Sequence, residues 1–122
     1  MNDRLVCLSY NLTDPDETAT LGGSALLQYI PFDITIIAVT VSPMEDDASA
    51  TIDIQDDGTD VITGIDASDQ DVPGTWLSTH VGGTNTPVTI GATSELEIDI
   101  NSAAAANRFD VAIWVLVGEA SS

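Results

Sequence analysis

Phe32 to Ile65 reads FDITIIAVTVSPMEDDASATIDIQDDGTDVITGI, and this stretch decides the fold. A β-branched run, Ile34 to Val41, is stopped by Pro43, and a polar loop, Met44 to Ser49, follows. Thr51-Ile52-Asp53-Ile54-Gln55 then alternates apolar and polar residues, and Asp57-Gly58 separates it from a second β-rich run, Asp60 to Ile65. Period-two alternation on both sides of Asp-Gly is a strong hairpin signal. Glycine accepts positive φ at no steric cost, and aspartate tolerates it. The expected centre is therefore an antiparallel β-meander. With Asp57-Gly58 as a two-residue loop, Ile54 faces Val61 and Ile52 faces Thr63 on one side, while Asp53, Gln55, Asp60 and Ile62 lie on the other.

Working outward, Arg4 to Leu12 reads as a first strand and Thr13 to Gly23 as a loop, opened by Asp14-Pro15-Asp16-Glu17 and closed by Gly22-Gly23. Thr18 to Leu21 has room for a helical turn, and Ala25 to Ile30 is a second strand that Pro31 ends. Beyond the meander, Asp66 to Gly74 is an acidic loop with a Val72-Pro73-Gly74-Thr75 turn. Short strands are expected at Trp76 to His80 and Val88 to Ile90, separated by Gly82-Gly83-Thr84-Asn85. Leu96, Ile98 and Ile100 alternate with Glu95, Glu97, Asp99 and Asn101, a half-buried strand with one wet face. Ala103 to Ala106 is helix-friendly but too short to be a helix alone, and Phe109 to Val117 is the last strand. Eight or nine short strands with turn signals between them predict a single all-β domain over residues 1–122: an antiparallel sandwich, barrel or jelly roll.

Two strands break the rule of one wet face. Phe109 to Val117 carries Phe109, Val111, Ile113, Val115 and Val117 on one side and Asp110, Ala112, Trp114 and Leu116 on the other. In Ile34 to Val41, strict alternation puts Ile34, Ile36 and Ala38 on one side and Ile37, Val39 and Val41 on the other. A sandwich has one interior, so a second apolar face needs another cover. A loop of the same chain or a neighbouring subunit can supply it, and a short chain has few spare segments, which favours the subunit.

The 122 residues hold twenty Asp and Glu against two Arg, Arg4 and Arg108, and no Lys, for a formal net charge of −18. Nucleic acid and anionic membrane surfaces need cations to neutralise phosphates, so neither is expected as a partner. The same composition suits a protein that works in high salt, where screening removes the self-repulsion. Hydrophobic residues make up 43%, in short runs, which argues for a packed core rather than disorder. No stretch reaches the length of a membrane helix, and Met1-Asn2-Asp3-Arg4 opens no secretory signal, so synthesis in the cytoplasm is expected.

Catalytic signals are weak. Cys7, the one cysteine, sits among Leu5, Val6 and Leu8 and reads as a small core thiol. His80 lies two residues from Ser78, but no nucleophile-elbow context surrounds them, and a histidine bonded to backbone is expected. Gly82-Gly83 precedes no helix, so it cradles no phosphate. Zinc lacks ligands, with one His and one Cys far apart. Asp56, Asp57 and Asp60 crowd one turn and Asp66, Asp69 and Asp71 the next loop, a density that suits calcium. Solvated turn residues are the expected reading, because Asp is common in turns. No catalytic, cofactor-binding or metal-binding residue is assigned. Trp114 reads as core or interface. Trp76 is expected to anchor its loop to the sandwich, with an exposed platform for a sugar as the alternative.

The segments Tyr29-Ile30-Pro31-Phe32-Asp33-Ile34-Thr35-Ile36, Val72-Pro73-Gly74-Thr75-Trp76 and Asn107-Arg108-Phe109-Asp110-Val111-Ala112-Ile113-Trp114 resemble those of small tailed-bacteriophage virion proteins. In style the chain is similar, from about Ala25 to Glu119, to β-sandwich head decoration (cement) proteins. The resemblance is one of pattern and composition. It implies a jelly-roll-like fold and a non-enzymatic homotrimer on the outside of an icosahedral capsid, at threefold positions against the major capsid protein. No catalytic residues come with it. Members of such families grip the capsid with an N-terminal arm, whereas Met1 to Asn11 here reads as a strand. The alternative function is a carbohydrate- or receptor-binding module of a tail or head fibre, using Trp76 and the Gly82-Gly83 loop.

Overall fold

Branched side chains restrict χ1 and pack well on a pleated surface, so the Ile-, Val- and Thr-rich runs become strands. The computed structural model describes residues 4–13, 24–29, 31–46, 50–101 and 108–117. Within them, nine strands follow in order: β1 (Arg4–Thr13), β2 (Ser24–Tyr29), β3 (Ile34–Pro43), β4 (Thr51–Asp56), β5 (Thr59–Asp66), β6 (Gly74–Leu77), β7 (Val88–Ile90), β8 (Glu95–Asn101) and β9 (Arg108–Val117). One short 3-10 turn, Thr79–Val81, lies between β6 and β7. The helical turn expected at Thr18 to Leu21 and the helix-friendly Ala103 to Ala106 segment lie outside the described residues.

The strands form two antiparallel sheets. Sheet A has the order β1-β9-β3-β6, with β7 also paired to β3, and sheet B has the order β2-β8-β4-β5. β6 pairs with Ala38 to Val41 and β7 with Ile34 to Ile36, so the two lie end to end along β3. Taken as one split strand, they complete a wrapped hairpin. The first strand pairs with the last, the second with the next to last, the third with the split strand, and the fourth with the fifth. That is the strand order of a jelly roll. The core between the sheets is aliphatic. Ile34, Ile36, Val39, Val41, Val111, Ile113 and Val115 of sheet A meet Ile52, Ile54, Ile62, Ile65, Leu96, Ile98 and Ile100 of sheet B, with Phe109 also buried.

Bulges correct two of the expected registers. In β3 the pairing with β9 shifts between Ile36, opposite Val115, and Ala38, opposite Trp114. Ile37 is the extra residue. A side-chain period of two then restarts one position later, so Ile34 and Ile36 before the bulge and Val39 and Val41 after it all face the core. β3 therefore does not present the two apolar faces that strict alternation gives it. Its outer side is Thr35, Thr40 and Ser42, interrupted by Ile37 and Ala38, and residues 78–87 run past the bulge. The backbone N–H of Ser78 donates to the Ile37 carbonyl at 2.9 Å, and Ile37 is only 6% exposed. The chain's own loop lies at this position, where a subunit was expected.

The hairpin turn is as read. Asp56 pairs with Thr59, and Asp57 and Gly58 both have positive φ, 51° and 83°. Beyond Gln55, opposite Asp60, the regular register fails: Ile54 faces Ile62 and Ile52 faces Ile65, not Val61 and Thr63. Ile62 and Ile65 are three apart, so a regular strand points them to opposite faces. The irregularity at Thr63-Gly64, with Gly64 at φ 71°, brings both inward. The strand expected over Trp76 to His80 is displaced to Gly74–Leu77. Pro73 precedes it, and Ser78, itself extended, caps the 3-10 turn, its Oγ accepting from the His80 N–H.

Two glycines separate backbone strain from crowding. A Cβ at Gly58 meets nothing within 4 Å, so its only requirement is positive φ. A Cβ at Gly74 lies 1.8 Å from the Asp66 carbonyl oxygen, where the end of β5 passes β6. Gly58→Val is expected to destabilise the fold by about 1–2 kcal/mol through backbone strain. Gly74→Ala is expected to cost roughly 3 kcal/mol or more, because backbone must move. Urea unfolding of the two variants checks the order, and equal midpoints would contradict it.

Candidate functional site

The jelly roll presents two outer faces of opposite character. On sheet B, β8 and β4 set Asp99 beside Asp53 and Glu97 beside Gln55, and β5 adds Asp60 opposite Gln55. These positions alternate with Leu96, Ile98, Ile52 and Ile54, so the buried isoleucines force the carboxylates onto one outer row. Some of that charge is neutralised locally. The Gly64 N–H donates to Asp53 Oδ1 at 2.8 Å, and Gln55 Nε2 donates to Asp60 Oδ1 at 2.8 Å. Glu97 is 8% exposed, so the expected wet face of β8 is in part dry. Asp99 Oδ1 is buried with no hydrogen-bond partner. Burial, then the charges of Asp53, Asp60 and Glu97, raises the Asp99 pKa above its ordinary value.

The carboxylates considered for calcium are spread over the turns. Asp57 Oδ1 accepts from the Glu95 N–H at 2.6 Å, Asp69 Oδ1 from the Asp71 N–H at 2.8 Å, and Asp66 Oδ1 from both the N–H and the hydroxyl of Ser68. The Ser68 hydroxyl, then its backbone N–H, lowers the Asp66 pKa. The Asp66 and Asp69 contacts are those of Asx turns, whereas Asp57 ties the hairpin turn to the start of β8. Among the described residues, no group of three or more His, Cys, Asp or Glu side chains is placed to hold a metal ion.

Ser78 and His80 come together, but as a cap. The serine oxygen receives the His80 backbone N–H at 3.2 Å, and the His80 side chain is exposed. The loop is closed by Asn85, whose Nδ2 donates to the Leu77 carbonyl at 2.9 Å and whose carbonyl accepts from the Thr79 N–H. Gly83 is required there, since a Cβ would lie 2.1 Å from the Leu77 oxygen. Trp76 sits opposite Val39, on the core side of β6, and packs against the core. A ring so placed anchors the loop, as expected, and stays partly exposed.

The outer face of sheet A mixes apolar with uncharged polar residues, and Asp110 and Arg108 are its charges on β9. Cross-strand registers build its rows. Leu77, Ala38, Trp114 and Cys7 form one, and Thr89, Thr35, Leu116 and Leu5 the next. Thr75, Thr40, Ala112 and Ser9 form a third, Ser42, Asp110 and Asn11 a fourth, and Thr13 and the exposed Arg108 close that end. Leu5 is 59% exposed, Leu77 37% and Trp114 36%. Cys7 is exposed too, which corrects the expectation of a core thiol. Its register opposite Trp114 puts it on the outer row, while Leu8 and Tyr10 turn inward. Leu5 and Leu77 were not singled out in the sequence, and Cys7 was read only as a core thiol. The alternation Leu5, Cys7, Ser9, Asn11 against Val6, Leu8, Tyr10, Leu12 carries the signal for Leu5 and Cys7. Asp110 is the one carboxylate in these rows, and Asn11 Nδ2 donates to it.

No family model, curated protein or solved structure matches this chain.

The acidic row makes a pH prediction. The native Asp99 carboxyl holds its proton at higher pH than an unfolded one, so the native state binds more protons. This group's contribution is favourable below the unfolded pKa and is lost as pH rises through the folded one. Asp99→Asn, neutral at every pH, is expected to raise Tm at pH 7, with the gain shrinking as pH falls toward 4. Asp66 has the opposite sign: its contribution is present above the unfolded pKa and lost as pH falls through the lowered one. Thermal melts of both Asn variants across that range check the two signs.

Proposed function

We propose that this chain is a non-enzymatic structural protein of a virus particle, a decoration protein seated on the outside of an icosahedral phage head. Its work is contact with other protein, and the outer face of sheet A is the surface that meets the major capsid protein. The observation that supports this most is the composition of that face. A chain with a net charge of −18 keeps Leu5, Cys7, Leu77, Ala112, Trp114 and Leu116 on one side of a sheet, with Asp110 the only carboxylate in the rows. Interface cores are depleted of charge and enriched in aromatic residues, and Trp is a frequent binding hot spot. The similarity in pattern to decoration proteins and the jelly-roll strand order fit the same reading.

The test is co-sedimentation with purified heads that lack a decoration protein, followed by electron microscopy of the decorated particles. The wild type is expected to bind. Trp114→Glu is expected to lose roughly thirty-fold or more in affinity, as removal of a central aromatic anchor does. Its Tm should change little, because the side chain lies on the outer face. Equal binding by the two proteins would overturn the docking face, and no binding by the wild type would overturn the reading.

A further inference from the structure

The turn between β4 and β5 carries a reactive pair. Asp57-Gly58 is the only Asp-Gly in the chain, and there is no Asn-Gly. An aspartate followed by glycine is prone to close into a ring, because no Cβ on the next residue shields its backbone nitrogen. The Gly58 nitrogen attacks Cγ of Asp57 and a C–N bond forms. A side-chain oxygen leaves as water, carrying the amide proton and one proton from solvent. The resulting succinimide takes up water at either carbonyl. Breaking the new bond restores aspartate. Breaking the original peptide bond leaves isoaspartate, in which the backbone runs on through Cβ and Cγ and the carboxylate sits on Cα. Water is the only other reactant.

The native turn opposes the first step in two ways. Asp57 and Gly58 have positive φ, 51° and 83°, between the paired residues Asp56 and Thr59. This is a type I′ turn, which sets ψ of its first central residue at about 30°. Viewed along the Cα–C bond, Cβ and the next nitrogen then lie nearly opposite each other. Ring closure needs them on the same side. Asp57 is also clamped to β8. Its N–H donates to the Glu95 carbonyl at 2.9 Å, and its Oδ1 accepts from the Glu95 N–H at 2.6 Å. Asp56 opposite Leu96 is the last pair of the β4–β8 ladder. The carboxylate therefore stands where a backbone carbonyl would continue that ladder. Solvent is not what is withheld, since Asp57, Gly58 and Thr59 are all exposed.

We infer that Asp57-Gly58 is a latent isoaspartate site, held shut by the type I′ turn and the Glu95 clamp, and reactive only when the β4–β5 hairpin parts from β8. Isoaspartate lengthens the backbone inside a two-residue loop and moves the carboxylate to Cα. Neither the turn nor the clamp then re-forms, so an opening that leads to reaction leaves a lasting mark. The inference does not rest on the capsid reading, which concerns the outer face of sheet A, whereas this turn belongs to sheet B.

The test holds the full chain at neutral pH, folded in buffer or unfolded in urea, and follows residue 57 by electron-transfer fragmentation, which distinguishes the two isomers. A peptide of residues 54–61 in both solvents gives the intrinsic rate. The unfolded chain is expected to convert as fast as the peptide, and the folded chain roughly ten-fold or more slowly. Asp57→Asn gives a second reading. Asn-Gly suits the same turn and keeps an acceptor oxygen for the Glu95 N–H. It reacts by the same path with ammonia leaving in place of water, so intact mass reports its progress, and the same order of rates is expected.

Ile62 lies opposite Ile54 in the hairpin and is 2% exposed. Adding Ile62→Val to Asp57→Asn is expected to speed the folded-state reaction by roughly two- to ten-fold and to leave the rate in urea unchanged. Equal rates in folded and unfolded chains would overturn the inference, as would an unfolded chain that forms no isoaspartate. A folded-state rate unmoved by Ile62→Val would overturn hairpin opening as the gate. None of these results touches the capsid-binding test, which reads the effect of Trp114→Glu on head binding.

Discussion

Sheet A depends on the one extra residue at Ile37. β9 pairs along almost all of β3, and its inward side chains Phe109, Val111, Ile113 and Val115 alternate without a break. Without a bulge, β3 would turn either Ile34 and Ile36 or Val39 and Val41 away from them. Each buried side chain of this kind is worth about 1.5–3 kcal/mol, more than the strain of one bulge. The bulge takes the Ile37 carbonyl out of the regular ladder, and a buried carbonyl needs a partner. The Ser78 N–H supplies it. The loop of residues 78–87 therefore sits where it does because β3 changes phase there, and β6 and β7 are two strands rather than one for the same reason. The Ser78 cap and the exposed His80 belong to this repair of the ladder.

A second constraint is how the charge is distributed. The acidic row on sheet B places Asp53 beside Asp99, and like charges directly opposite cost roughly 0.2–1 kcal/mol per pair. The alternating Ile52, Ile54, Ile98 and Ile100 are fully or almost fully buried, and their burial outweighs that cost several times over. The repulsion is tolerated there because it comes with the alternation that builds the core. No such benefit follows from charge on the outer face of sheet A, and that face has almost none. The contrast between the faces, more than any single residue, is what gives the molecule a side suited to contact.

Much of the fold was legible because alternation and turn chemistry are local. The Asp57-Gly58 turn, most strand limits and the all-β class follow from short windows of sequence, whereas the jelly-roll-like wrap was expected only from the resemblance. What was not legible depends on phase. A bulge shifts every later residue to the opposite face, and its cause lies in the partner strand. Ile36-Ile37 and the spacing of Ile62 from Ile65 are visible afterwards as places where strict alternation strands an isoleucine. Cys7 was read from its apolar neighbours, and neighbours in a strand point the other way. Asp99 was legible as an outward residue, but its burial and the nearby charges of Asp53 on β4 and Asp60 on β5 come from other strands, which no single strand reveals.

The sandwich itself is what lets an acidic protein carry an outer face with little charge. Sheets packed face to face lie about 10 Å apart, so the outer row of sheet B is at least that far from the outer face of sheet A. The Debye length is roughly 8 Å at physiological ionic strength and about 3 Å at 1 M. A partner seated on sheet A is thus separated from the densest carboxylate row by more than one screening length, and at high salt by several. The carboxylates in the turns do not share that separation, since loops emerge at the ends of both sheets. Several of those turn carboxylates, such as Asp57, Asp66 and Asp69, are held by hydrogen bonds within their own loops or to a neighbouring strand end. Repulsion against a partner on sheet A therefore comes mainly from the ends of the sandwich. It weakens with salt, while the apolar contact at the centre of the face does not.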